Sequence, residues 1–195
     1  MAAPKDIQFS CKCGTLKGTL RGAHPRSGTH AECFCADCRA AEIHLGQPDP
    51  APNPVGIFQT TPDRIQLDAG HDKLAVFSFG EKNLLRWYAS CCGAPLLNTM
   101  RTPKFAFVGI RTNRLDDTGP LGPIVGRGFI PVKGGKPKHE GLSYLILGMA
   151  TRVIGSRLSG RWKQTPFFDT NTLTPVRDIQ VLPKDTRASL LPKDS

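Results

Sequence analysis

No stretch of this 195-residue chain is apolar for long enough to cross a bilayer as a helix; residues 142–150 come nearest and fall far short. Residues 1–10 carry no secretory apolar region, so a soluble, cytoplasmic protein in a reducing compartment is expected. There is no repeat of solenoid type. There is also no basic stripe interleaved with aromatics and no recognition-helix motif, which leaves base-specific contact with nucleic acid unsupported. With 20 Gly and 17 Pro, long helices are scarce and turns are many, so a mainly β body is expected. Cysteine is missing from most of the chain: all seven fall into three short clusters, and none lies elsewhere.

Those clusters are Cys11-Lys12-Cys13, Cys33-Phe34-Cys35-Ala36-Asp37-Cys38 and the adjacent pair Cys91-Cys92. The odd count and the short spacings argue against loop-closing disulfides and for metal ligation. Thiolates one or two residues apart can turn toward one ion. A structural zinc takes four ligands, whereas a reactive zinc keeps three and an open position. The middle cluster can supply three sulfurs from one knuckle, leaving the outer two clusters to close a second site, so one closed and one open site are expected. The bland alternative is a set of buried or free thiols, since cysteine packs well as a small hydrophobe.

Short strands dominate the first hundred residues. Residues 7–10 and 15–20 read as a hairpin around the first cluster, with Gly14 available for the tight turn. Residues 30–35 alternate as a strand that breaks at Asp37-Cys38, and 47–54 is a Pro-rich loop. Further strands are expected at 56–60, 64–67, 74–79, 83–88 and 104–111, and the penultimate one delivers Cys91 and Cys92 from a strand end. The core module is expected to span residues 1–112, with 113–195 a basic extension packed on the same domain. Within it, 115–140, rich in Gly, Pro and Lys, looks like a long loop or an ordered insertion. Residues 142–162 show a 3.6-residue apolar period that predicts one helix, read chiefly as core-packing, with a membrane-surface or partner-docking face as the other reading.

Charge is unevenly placed. The +10 total arises almost wholly in residues 101–163, where 12 basic residues face 3 acidic ones, against 10 and 9 in 1–100 and 4 and 4 in 164–195. Such a block attracts nucleic acid, anionic lipid or a small acidic molecule, or is simply a solvated surface.

Together, Cys11-Lys12-Cys13-Gly14, the middle C-x-C-x-x-C and Cys92-Gly93-Ala94-Pro95-Leu96 resemble the glutathione-dependent formaldehyde-activating enzyme and centromere protein V family over roughly residues 7–112. That resemblance implies a zinc-stapled, tent-like β-sandwich of short antiparallel strands. It also implies two Zn2+ sites: a structural one using Cys11, Cys13 and Cys92, and a catalytic one at Cys33, Cys35 and Cys38. There a thiol adduct such as a glutathione conjugate would be made or cleaved by carbon-sulfur lyase chemistry.

One departure from the family pattern concerns Ala89, which occupies the position of the expected fourth structural ligand, with Cys91 nearby. A Cys11/Cys13/Cys91/Cys92 site requires a sharp turn between neighbouring residues. The alternatives are a three-sulfur site completed by a distant group, or loss of that metal with Cys91 free. His30, His44 and His71 are the nearest candidates for proton transfer or auxiliary ligation. The competing class of function is a non-catalytic zinc module that binds nucleic acid or an acidic protein through the basic half. A weaker one is redox sensing by the vicinal pair. Oligomeric state is not legible in the sequence.

Overall fold

The computed structural model of the chain describes residues 3–191 and is mainly β, with fourteen strands and three α-helices among them. In chain order these are β1 (Lys5–Ser10), β2 (Lys17–Ala23), β3 (Thr29–Cys33), α1 (Ala36–His44), β4 (Val55–Thr60), β5 (Ile65–Ala69), β6 (Leu74–Ser78), β7 (Leu85–Ala89), β8 (Ala94–Thr99), β9 (Val108–Arg111), β10 (Gly126–Ile130), β11 (Lys138–Glu140), α2 (Leu142–Leu158), β12 (Phe168–Asp169), β13 (Thr174–Pro175), β14 (Ile179–Val181) and α3 (Lys184–Leu190). A small sheet runs β1-β2-β5, and an open sheet runs β11-β10-β3-β4-β9-β8-β7-β6-β14. The large sheet is antiparallel except where β10 pairs with β3 and β14 with β6, both parallel. No helix among the described residues is long and apolar enough to cross a membrane.

Strand alternation sorts the side chains onto two faces. Phe9, Leu20 and Ile65 of the small sheet share one core with Phe58, Trp87, Leu97 and Ile110 of the large sheet. Trp87 is fully buried, and its indole N–H donates to Thr99 Oγ1 at 2.9 Å, so the ring is packed without an orphaned donor. The small sheet lies close to its own neighbours: a methyl group at Gly18 would be driven into the Phe9 ring and the Gln66 carbonyl. Gly18→Ala should therefore cost about 1–3 kcal/mol through overpacking, read as a lower midpoint in urea unfolding with an unchanged slope.

On the other face of the large sheet lies α1, where Ala40 and Ala41 pack with Phe77, Phe79 and, from the C-terminal segment, Leu182. The sequence reading contained no helix here. Cys35 starts it: its backbone is extended at φ −67° and ψ 147°, and its sulfur accepts the Cys38 amide, as an N-cap should. The chain after Gly93 was likewise not read as a strand, yet β8 is buried along its whole length.

Of the two readings of 115–140 the structure has the ordered insertion, because β10 within it extends the large sheet beside β3. Its glycines hid the strand from propensity, and one of them serves a close contact: a methyl on Gly126 would come within 2.7 Å of Leu145 of α2. The predicted helix forms over 142–158, but its apolar stripe does not pack into the core. Leu142, Ile146, Ile154 and Leu158 are exposed, Leu158 at 85%. Leu145, Met149, Ala150 and Val153 are half-buried on the inward side, where Gly148 lets the helix approach β3 closely; a methyl on Gly148 would be 2.9 Å from Thr29 Oγ1.

Candidate metal centres

The hairpin of β1 and β2 places the first pair of sulfurs. Gly14, at φ 75°, closes a turn in which its amide donates to the Cys11 carbonyl, while the Leu16 amide donates to Cys11 Sγ at 3.3 Å. The β7–β8 turn brings the second pair. Gly93, at φ 64°, donates to the Ala89 carbonyl at 2.9 Å, and a side chain there would strike the Leu45 carbonyl.

In consequence Cys11 Sγ lies 3.6 Å from Cys13 Sγ and 3.8 Å from Cys91 Sγ, and Cys13 and Cys91 are 3.4 Å apart. All four sulfurs, Cys92 included, lie within 4.8 Å of one another. A tetrahedral ion with bonds of about 2.3 Å to sulfur needs sulfurs about 3.8 Å apart. The donor set and its spacing fit such an ion. Ala89 is buried in the core and offers no ligand. Hydrogen bonds from Thr15 hold the Cys13 thiol down at about 6, whereas desolvation and the neighbouring thiols push Cys91 up to about 12.

The second cluster stands where β3 ends and α1 begins. The sulfurs of Cys33, Cys35 and Cys38 converge within 4.8 Å, so this set too could hold a metal ion. Cys38 faces the sheet and is buried, while Cys33 and Cys35 are half-buried and border a cavity of about 530 Å³. Phe34 and Val55 line that cavity from the first half of the chain. Phe129, Pro131, Arg187 and Leu191 line it from the second. Phe129 is held at φ 61° in an irregular part of the β10–β11 pairing, an unusual conformation for a bulky residue, with its ring edge-on to His139.

Beneath the cluster is a buried charged layer. Arg111 is 1% exposed and Arg86 5% exposed; Arg111 lies 3.6 Å from Glu42 and Arg86 3.7 Å from Asp37. Nε and both Nη atoms of Arg111, and Nε and Nη1 of Arg86, lack hydrogen-bond partners. Hydrogen bonds from Cys33 and Cys35, reinforced by the charges of Arg111 and Arg86, hold the Cys38 thiol well below its ordinary value. The same sharing of protons drives Cys33 up and leaves Cys35 at about 11. Burial raises Glu42, and Arg111 opposes that shift. Two guanidiniums behind three sulfurs form an environment made for negative charge. An ion with charge +2 on three thiolates would leave one unit of negative charge, and the two guanidiniums, although each is shared with a carboxylate, would favour it from behind.

None of the three histidines joins either sulfur set. His30 Nδ1 is 2.8 Å from the Gly122 carbonyl, His44 packs at a tilt against the Phe77 ring, and His71 offers its carbonyl to Arg177. The sequence reading did not single out Arg86, Arg111, Asp37, Phe129 or Arg187. For the first two a signal existed: an arginine inside Leu84-Leu85-Arg86-Trp87-Tyr88, and another closing the apolar run ending at Ile110, are charges where strands should be buried.

The fold and these sulfur sets define a mainly β protein with two cysteine clusters, each able to hold a metal ion. Residues 3–140 match a family of unknown function (DUF6151), and the chain belongs to that family. No curated protein matches. Among solved structures, a crystal structure of a Rhodobacter sphaeroides protein, a structural-genomics target, is similar at 17% identity over 62% of this chain and 98% of that one, with a TM-score of 0.44. The family match overturns the resemblance to the glutathione-dependent formaldehyde-activating enzyme and centromere protein V family. Ion geometry favours short spacings such as C-x-C and C-x-x-C, so separate families can arrive at them independently.

Proposed function

We propose that this protein binds two zinc ions, a closed one at Cys11, Cys13, Cys91 and Cys92 that staples the fold and an open one at Cys33, Cys35 and Cys38 that serves carbon-sulfur chemistry on a small thiol adduct. One observation carries the reading: only three sulfurs converge at the second site, and two of their residues border a cavity large enough for a small-molecule ligand. When bound there, zinc supplies a soft Lewis acid with a free position suited to a thiolate.

The chain's own groups do the rest. Arg86 and Arg111 favour negative charge at the sulfurs from behind. Phe34, Phe129 and the prolines shield the cavity from water. Arg187, paired with Asp37, and Arg39, held by Asp49 through two bonds of 2.7 Å, place guanidiniums at its wall, where a carboxylate on the thiol carrier would bind. The reaction is reversible addition of a thiol to a small aldehyde. A sulfur–carbon bond forms as the carbonyl π pair moves to oxygen, the thiol proton ends on the new hydroxyl, and no oxidant is required.

Cobalt substitution tests this. Two cobalt ions per chain should give a thiolate spectrum, part of which shifts as glutathione or mercaptoethanol is added and the rest of which does not. A spectrum that ignores millimolar thiol would refute the open site.

A further inference from the structure

A second cleft lies toward the opposite end of β3 from the sulfur cavity. It has a volume of about 230 Å³, and four arginines line it: Arg26 from the β2–β3 turn, Arg64 from the turn before β5, Arg152 from α2 and Arg161 just after that helix. Ser27 and Thr61 add hydroxyl groups. Four guanidiniums crowd here against a single carboxylate, Asp63, whose Oδ2 lies 3.4 Å from Arg161. Among the described residues, Arg26, Arg64 and Arg152 have no carboxylate within ion-pair distance.

The arrangement is built rather than loose. Arg152 donates to Thr29 Oγ1 at 2.7 Å, and Arg64 donates to the carbonyls of Arg21 and Gly22 at 3.3 and 3.2 Å. These bonds aim the guanidiniums and leave other N–H groups for a ligand, since each guanidinium carries five donors. Burial and the neighbouring Arg64 hold the Arg152 pKa below its ordinary value, which marks uncompensated positive charge taken out of water. Like charges packed in this way repel unless an anion joins them.

We infer that this cleft binds a phosphate group, either as the free ion or as the monoester of a small molecule. Guanidinium forks match phosphate oxygens in pairs, and the Thr61 hydroxyl can donate to one that remains, whereas the Ser27 hydroxyl is held by the His24 carbonyl. The site is separate from the sulfur cavity: Thr29 and Cys33 stand at opposite ends of β3, roughly 13 Å apart at about 3.3 Å per residue.

The test is thermal melting and calorimetric titration of the full chain with inorganic phosphate and with ribose 5-phosphate, against sodium chloride at matched ionic strength. Both probes should give saturable binding and a raised melting temperature. Tighter binding of the ester points to a carried phosphate, and preference for the inorganic ion points to the free one. Arg152→Gln removes the bond to Thr29 and can disturb the helix, so Arg26→Ala is the decisive variant: its side chain is exposed at a turn. It should melt like the parent without phosphate and bind phosphate at least tenfold more weakly. No saturable effect beyond that of chloride, or undiminished affinity in Arg26→Ala, would overturn the inference.

Discussion

Cys11→Ser should lower the melting temperature by roughly 10–20 °C. Its sulfur stands in the four-sulfur cluster 3.6 Å from Cys13 and 3.8 Å from Cys91, while the residue itself is 3% exposed and packs in the main core. On the proposal that zinc joins these strands, the ion ties the β1–β2 turn to the β7–β8 turn, segments some eighty residues apart in sequence. Structural zinc contributes about 10–16 kcal/mol in small peptides at neutral pH. Total domain stability is only about 5–15 kcal/mol. Three remaining sulfurs retain part of the metal affinity, so a loss on the order of 5 kcal/mol is expected. For a chain of this size each kcal/mol moves the midpoint by about 2–4 °C. Circular dichroism melts, with zinc measured on the same samples, check the result. A variant that melts within two or three degrees of the parent would remove the structural role from this cluster.

Cys35→Ser should behave differently. Serine is a good helix N-cap, so the bond that Cys35 Sγ accepts from the Cys38 amide has a ready replacement, and α1 should still start where it does. What serine cannot replace is the soft thiolate ligand. The expected outcome is a folded protein in which zinc falls from two ions per chain to about one, with the midpoint changed by no more than a few degrees. The thiol-responsive part of the cobalt spectrum should vanish while the unresponsive part remains. Retention of two ions, or loss of both together with the fold, would show that the two clusters do not divide the work as proposed.

The contrast between the variants follows from position. Cys11 sits between sheets, where a lost tie is felt by the core. The middle cluster lies outside that core, where β3 meets a short helix whose other attachments, Ala40 and Ala41 against Phe77 and Phe79, do not involve the sulfurs.

Much of this molecule could be read from local pattern. Alternation of apolar residues marked most strands up to Arg111, and Gly14 and Gly93 marked the turns beside the sulfurs. The spacing of the cysteines indicated which could share an ion, because one or two intervening residues fix how far apart two sulfurs can be. Such signals are short-range, and so they survive without a fold. The family did not follow from them: metal geometry favours similar short spacings in unrelated chains, and the resemblance drawn from them failed.

Tertiary structure decided the rest. Whether neighbouring Cys91 and Cys92 can face one centre depends on the turn held by Gly93 against Leu45, a contact between segments distant in sequence. Arg86 and Arg111 meet beneath Cys38 only because α1 lies over β8, between the strands that carry them, and Phe129 and Arg187 wall the sulfur cavity only because the second half of the chain returns to the sheet. The exposure of Leu142, Ile146, Ile154 and Leu158 on α2 has the same origin, since Gly148 permits the close approach to β3 and a periodic pattern cannot say which face its neighbour will choose. Residue order limits what each segment can be. Which side chains share a cavity or a charge is set by long-range packing, and that depends on all the segments at once.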